Sequence, residues 1–326
     1  MTEWMPELPI VQAPMAGGAG TPELAAAVAE AGGLGFLAAG YKSAAQMRDD
    51  IVRMRALTSR PFGMNLFLPS EDPVDAAAVA RYRERLGPGT GTPGPRDDDY
   101  DAKVADLLGD PPALVSFTFG MPAQDVVRAF QDRGVSVVVT VTSVDEARAA
   151  SSADVLCVQG TEAGAHQGSF TNDDRERLPL RTLLAAVREV TAQPLIAAGG
   201  IGDAAAVADV LALGAVAAQA GTAFLRCPES GANAVHKAAL ADPAYTETAL
   251  TRAFTGRPAR GLVNRFLAEH SAHAPAAYPD VHYVTSPLRK AAVARGDAGG
   301  VNLWAGTSWR LAREAPAAEV LASLAG

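Results

Sequence analysis

The apolar residues of this chain come in short unbroken runs, set apart by longer stretches in which they recur every three or four positions. The short runs are Ile10–Pro14, Gly35–Ala39, Phe62–Leu68, Leu114–Phe119, Val135–Val141, Val155–Gln159, Pro194–Ala198 and Ala215–Ala220. A run that is apolar at nearly every position suits a strand covered on both faces, as in a parallel sheet. Helical stretches with their own start and stop signals lie between the runs. Thr21 precedes Pro22–Ala31, where Pro22 suits the first helical position and Gly32 follows the last. Ser43 with Gln46, and Ser143 with Glu146, have capping-box spacing. Pro122–Arg133 stops at Gly134, Asp203–Leu213 stops at Gly214, and Leu180–Val190 fills the gap between the sixth and seventh runs.

Eight alternating strand–helix units predict an α/β fold, a closed (β/α)8 TIM barrel. A doubly wound open sheet is the runner-up. The strand count favours the barrel, and Met15-Ala-Gly-Gly-Ala-Gly20 after the first strand lacks the spacing of a dinucleotide-binding loop. The pattern breaks in two places. Residues 87–101 are rich in Gly, Pro and Asp and read as a flexible surface insertion; the aspartate run has no metal-ligand spacing. After residue 225 the segments Ser230–Ala241, Gly261–His270, Pro287–Ala294 and Pro316–Leu324 are helical in pattern. The expected division is a barrel over 1–225 and a mainly helical subdomain over 226–326 that packs on one barrel end.

Composition narrows the classes of function. The net charge of −8 leaves no basic stripe for nucleic acid. No apolar run approaches the length of a membrane span, and the N-terminus lacks a basic region followed by an apolar core. Two cysteines without close spacing, Cys157 and Cys227, fit a reduced cytoplasmic protein and no metal site. The sequence leaves the oligomeric state open.

In a barrel the working groups sit on loops at the carboxyl ends of the strands. Three of those loops are glycine-rich: Gln159-Gly-Thr-Glu-Ala-Gly-Ala-His166, Gly199-Gly200-Ile-Gly202, and Gly221-Thr222. The last two follow the seventh and eighth strands, where barrels often hold a phosphate. Their backbone N–H groups and the Thr222 hydroxyl suit that role, although the same glycines also make tight turns. Asn65, Gln159 and Gln219 are amides on apolar strands and need hydrogen-bond partners. His166 is the one histidine on such a loop. A lone histidine is more often structural, but this position favours acid–base chemistry, with Glu162 a candidate to orient it. No nucleophile elbow or Walker loop is present.

These motifs resemble the nitronate monooxygenase family, in particular its bacterial class I members. The resemblance rests on Pro9-Ile-Val-Gln-Ala-Pro-Met-Ala-Gly-Gly18, Phe62-Gly-Met-Asn-Leu-Phe67, Phe117-Thr-Phe-Gly120, the His166 loop, Ile196-Ala-Ala-Gly-Gly-Ile201 and Gln219-Ala-Gly-Thr-Ala-Phe224. It implies an FMN-dependent monooxygenase that oxidises alkyl nitronates, propionate 3-nitronate above all, with O2 to a carbonyl compound plus nitrite or nitrate. It implies FMN contacts from Met15, Asn65, Gln159, Gly164, Gly199, Gly200, Gln219, Ala220, Gly221 and Thr222. It gives His166 the role of catalytic base or positive contact for the anion. The chain departs from the family pattern at Ala165, at Gln167 and at Thr307-Ser308. Two other readings stand beside this one: an NAD(P)H-dependent flavin enoyl-acyl-carrier-protein or quinone reductase, and a non-catalytic or repurposed flavoprotein in a biosynthetic pathway.

Overall fold

A computed structural model describes residues 4–70 and 72–326; the first three residues of the N-terminal stretch read for a leader lie outside it. Its centre is a closed barrel of eight parallel strands: β1 (Ile10–Gln12), β2 (Leu34–Ala38), β3 (Phe62–Phe67), β4 (Leu114–Thr118), β5 (Ser136–Val141), β6 (Val155–Gln159), β8 (Leu195–Ala198) and β9 (Ala217–Ala220). β7 is the two-residue strand Ala165–His166, outside the barrel. The ring closes where Val11 of β1 registers with Gln219 of β9. A TIM barrel is therefore the architecture, as the eight apolar runs predict.

The outer ring comprises α1 (Pro22–Glu30), α2 (Ala44–Leu57), α4 (Tyr100–Gly109), α5 (Gln124–Gln131), α6 (Val144–Ala149), α7 (Leu180–Arg188) and α8 (Ala204–Ala212), while α3 (Ala76–Leu86) packs against the tail segment that includes Val281 and Val284. Thr21 caps α1 and the Ser43–Gln46 capping box opens α2, as their spacing predicts. Among the described residues no helix is long and apolar enough to cross a membrane.

Why the strands look continuously apolar is visible in their two faces. Side chains alternate along a strand, so successive residues serve different layers. Val155 and Cys157 of β6 fill the barrel interior with Leu34, Phe36, Val138 and Ile196, while Leu156 and Val158 pack outward under the helices. The interior set changes character toward the carboxyl ends. In phase with those apolar residues stand Asn65, Ser116, Thr118, Thr140, Gln159 and Gln219. The lower barrel is thus a packed core and the upper barrel a polar floor.

The tail after residue 225 holds α9 (Ala234–Ala241), β10 (Thr248–Thr251), β11 (Ala259–Leu262), α10 (Arg265–His270), α11 (Asp280–Ala294) and α12 (Ala317–Ala325). Besides the helices, two strands are thus present in a tail read as mainly helical: β10 in a stretch assigned to no element, and β11 running into the segment read as helix from Gly261. Gly261–His270 divides into β11 and the Asn264-capped α10. The reason is a close approach: a Cβ on Gly261 would sit 2.8 Å from the Leu303 carbonyl oxygen, and Gly261 bridges to Trp304. β11 also pairs with β7, setting Ala259 opposite His166. Residues 87–101, expected as a flexible insertion, are tied down at several points. Gly91 N–H donates to the Val284 carbonyl at 2.9 Å, Arg96 to the Asp72 carbonyl at 2.8 Å, Tyr41 N–H to Asp98 at 2.8 Å, and Asp99 accepts from Ala44 N–H at 2.7 Å. α4 begins at the end of this segment and carries the buried Lys103, whose ammonium reaches Asp98 at 2.8 Å and the Ala39 carbonyl at 3.0 Å. Composition showed the turns and charges but not these distant partners.

Candidate active site

The carboxyl ends of the barrel strands, the β7–β10–β11 sheet and α11 enclose a cavity of about 670 Å³. Its wall includes His166 together with Met15, Asn65, Gln159, Gly164, Gly199, Gly200, Gln219, Ala220, Gly221 and Thr222. These candidate residues read from the sequence therefore meet in one space, while Glu162 and Gly202 are not on its wall.

At one end are the loops after β8 and β9. Gly199 and Gly200 adopt φ of 116° and 71°, left-handed values that favour glycine. The backbone N–H groups of Gly199, Gly200, Gly221 and Thr222 donate to no other backbone carbonyl among the described residues. A Cβ built on Gly221 meets only Ala13 Cβ at 3.4 Å and Met15 Sδ at 3.8 Å, so the space before it is open. The Thr222 hydroxyl oxygen accepts from Gly306 N–H at 3.0 Å, which leaves its proton available to a ligand. On the floor, the Asn65 amide nitrogen donates to Ser116 Oγ at 2.9 Å and Thr118 Oγ1 at 3.0 Å, and its Oδ1 has no protein partner among the described residues. Gln219 donates weakly to Cys157 Sγ at 3.4 Å. Gln159 does a different job: Oε1 accepts from Gly168 N–H at 2.7 Å and Nε2 donates to the His166 carbonyl at 3.2 Å, clamping the ends of the His166 loop. Gly164 is required by packing, since a Cβ there would lie 2.5 Å from Gly306 N.

His166 stands on β7, with Ala165 before it at φ 61°. Its Nε2 lies 2.9 Å from Thr255 Oγ1, and that hydroxyl is 3.2 Å from the Arg257 carbonyl, which can only accept. With its proton on that carbonyl the threonine accepts from the imidazole, an arrangement that fits a ring hydrogen on Nε2 and a free lone pair on Nδ1. Aromatic rings surround the imidazole, with centroids at 5.5 Å for Tyr278, 5.6 Å for Phe119, 6.0 Å for Trp304 and 6.5 Å for Phe67. Burial, then Arg257 and Arg289, push its pKa down to about 3. His166 is accordingly neutral near pH 7, and positive charge at this end comes from the two arginines. Arg257 is buried, lies over the Phe119 ring at 4.2 Å, and has its nearest carboxylate, Asp72, 4.0 Å away. Glu162 does not orient His166; both its oxygens accept from Leu180 N–H at the start of α7, at 2.9 and 3.1 Å. The loop's turn at Ala165 carries His166 away from it.

Sequence reasoning missed Tyr41, Thr255, His282, Arg289 and Trp304, which also line the cavity. The one signal for the tail pair was their spacing, since His282 and Arg289 are seven residues apart and so share a helix face. Both side-chain amide atoms of Gln167 are buried without a partner, and nothing in the structure accounts for that.

Comparison with known proteins gives a consistent picture. The family model described as nitronate monooxygenase matches residues 1–326. A curated relative from Pseudomonas aeruginosa, named nitronate monooxygenase, is 42% identical, covering 97% of this chain and 95% of its own. Among solved structures, a nitroalkane oxidase from Streptomyces ansochromogenes superposes with a TM-score of 0.95 at 53% identity, covering 98% of this chain and 95% of that one. FabK from Thermotoga maritima follows at a TM-score of 0.79 and 28% identity, covering 99% of this chain and 93% of that one.

Proposed function

The chain belongs to the nitronate monooxygenase family, and from that premise we propose that it binds FMN and oxidises small alkyl nitronates of the propionate 3-nitronate type with O2, releasing a carbonyl compound and nitrite or nitrate. The observation that carries this reading is the setting of His166: a neutral imidazole with a free Nδ1, in an aromatic enclosure, on a cavity that ends in unpaired backbone donors.

The residues present fit FMN. The four N–H groups at Gly199, Gly200, Gly221 and Thr222 suit the phosphate. Asn65 Oδ1 and the Gln219 amide suit the polar edge of the isoalloxazine, with Met15 against the same wall. When bound, the flavin supplies the electron transfer from substrate and toward oxygen.

The protein's own groups do the rest. Arg289, half-buried on the cavity wall, and Arg257, buried near His166 with its nearest carboxylate 4.0 Å away, attract an anion into the cavity. The aromatic ring around His166 keeps bulk water from the reacting carbon. Nδ1 of His166 accepts a proton from the carbon beside the nitro group of a neutral nitroalkane. With the nitronate already an anion, its charge offsets the arginines and raises the imidazole's proton affinity, although burial, the larger cause, still favours the neutral ring.

An absorption spectrum and anaerobic mixing test the proposal. The expected result is a yellow protein that releases FMN on denaturation and is bleached by propionate 3-nitronate but not by NADH. A colourless protein counts against the cofactor. Bleaching by NADH alone supports the reductase reading instead.

A further inference from the structure

The cavity has a second imidazole, His282 on α11, whose hydrogen-bonding polarity is the reverse of His166. Arg289, two turns further along α11, places Nη2 3.2 Å from His282 Nδ1 and 3.0 Å from the His282 carbonyl. A guanidinium has only donors, so Nδ1 must offer its lone pair and the ring hydrogen must sit on Nε2. The arginine is itself fixed, with Nε donating to Thr285 Oγ1 at 3.1 Å and Nη1 to Asn302 Oδ1 at 3.4 Å. The imidazole lies flat on Tyr41, with centroids 4.0 Å apart and planes 5° apart, and Tyr41 is held by Asp98. Nε2 has no partner among the described residues, and the side chain lines the cavity.

We propose that His282 orients the substrate as a neutral N–H donor to the nitro-group oxygens, and that Arg289 is the positioning residue that sets its tautomer. The proposal rests on the nitronate reading above. A nitronate concentrates charge on its oxygens, which need a donor, while the carbon of the neutral nitroalkane that gives rise to it needs a base. The two imidazoles divide that work: Nε2–H of His282 for oxygen, the Nδ1 lone pair of His166 for the proton. The charged and titratable groups around His282 are Arg289, Lys290 and Tyr283 on its own helix, Tyr41 from the loop after β2, and His166 on β7. Burial, then Arg289, His166 and Lys290, hold the ring neutral, down to a pKa of about 2, so its donor character does not change across the working pH range.

Three variants of the flavin-loaded protein test this, assayed with propionate 3-nitronate from pH 5.5 to 8.5. His282→Phe keeps a ring on Tyr41 and removes the donor; kcat/KM should fall about tenfold, the loss of a hydrogen bond to a charged group, with KM carrying the change and the flavin spectrum unaltered. His282→Gln restores an N–H and should recover most of that loss. Arg289→Met removes a positive charge from the cavity, so KM should rise overall, and it removes the second cause of the ring's lowered proton affinity, so KM should fall more toward the acid end of that range than in the unmodified protein, with the inflection still below the ordinary imidazole value because burial, the larger cause, remains. Nitrogen-15 spectra of labelled histidine should place the His282 proton on Nε2 in the unmodified protein and show it titrating in Arg289→Met. A wild-type KM in His282→Phe, or a proton on Nδ1, overturns the proposal. If His282→Phe does not fold, the KM profile and spectra of Arg289→Met decide the question. A wild-type protein inert toward nitronates removes the nitronate reading, while the tautomer measurement still decides whether His282 is a held donor.

Discussion

His166 has one ring nitrogen engaged and one free, and that asymmetry gives a direct prediction. His166→Ala should retain bound flavin, because no proposed phosphate or ring-edge contact comes from this side chain, yet lose about 10²-fold or more in nitronate oxidation, the usual scale of a lost acid–base group. Flavin content and steady-state rates measure both; undiminished turnover takes His166 out of the mechanism. Gly221 provides the complementary case. Since a Cβ at that position meets nothing closer than 3.4 Å, Gly221→Val should fold with a melting temperature near wild type but retain less FMN after dialysis, through crowding of the phosphate. Equal flavin content contradicts this. Both residues were legible in the sequence because each is the right residue type on a glycine-loosened loop just past an apolar strand. Thr255 and His282 were not, because a threonine or histidine in a tail gives no local sign of which distant ring or guanidinium it meets.

Among elements, the stretch from Gly87 to Asp101 matters more than its composition suggests. Asp98 holds the turn at Tyr41 and neutralises Lys103, whose side chain is 1% exposed. Asp98→Ala leaves that ammonium with only the Ala39 carbonyl, and should destabilise the protein by about 3 kcal/mol, the usual cost of breaking a buried pair. Asp98→Asn, which keeps a hydrogen-bonding group, should cost less. Urea unfolding compares the two; a loss under about 1 kcal/mol in the alanine variant shows that the strap is dispensable. Turn residues and charges were readable here, but anchoring depends on distant partners, 57 residues away for Tyr41 and Asp98 and farther still for Gly91 and Val284, which periodicity does not encode. The strands β7, β10 and β11 were hidden for a related reason: they are short, and the approach of residues 303–304 to Gly261, not their own alternation, sets β11. The barrel strands were visible because a two-sided core demands apolar residues at almost every position.

For the whole molecule, buried neutral histidines couple folding to pH. Burial is the leading cause that lowers His166 to about 3, His236 to about 4 and His282 to about 2. Unfolded imidazoles titrate near 6.5, so below that pH the unfolded chain binds protons that the folded chain refuses. The stability these groups allow is complete above about pH 6.5 and falls on acidification, by about 1.4 kcal/mol per pH unit for each histidine. Denaturation at pH 7.5 and 5.5, at constant flavin saturation, should show the loss. His236→Gln, which keeps a donor for the Trp304 carbonyl, should reduce the slope by the share of one histidine among the four whose pKa burial lowers, His270 being the fourth. An unchanged slope assigns the acid sensitivity elsewhere. The barrel's closure has a further consequence. β1 finds its second neighbour only in β9, and α1 packs against α12, where Leu321 and Val320 are buried. The outer wall over the first strand is therefore made from turns that lie far later in the chain. An emerging nascent chain keeps that apolar face uncovered until translation of α12 is complete, so the ribosome-bound precursor is the species most exposed to chaperone capture and aggregation.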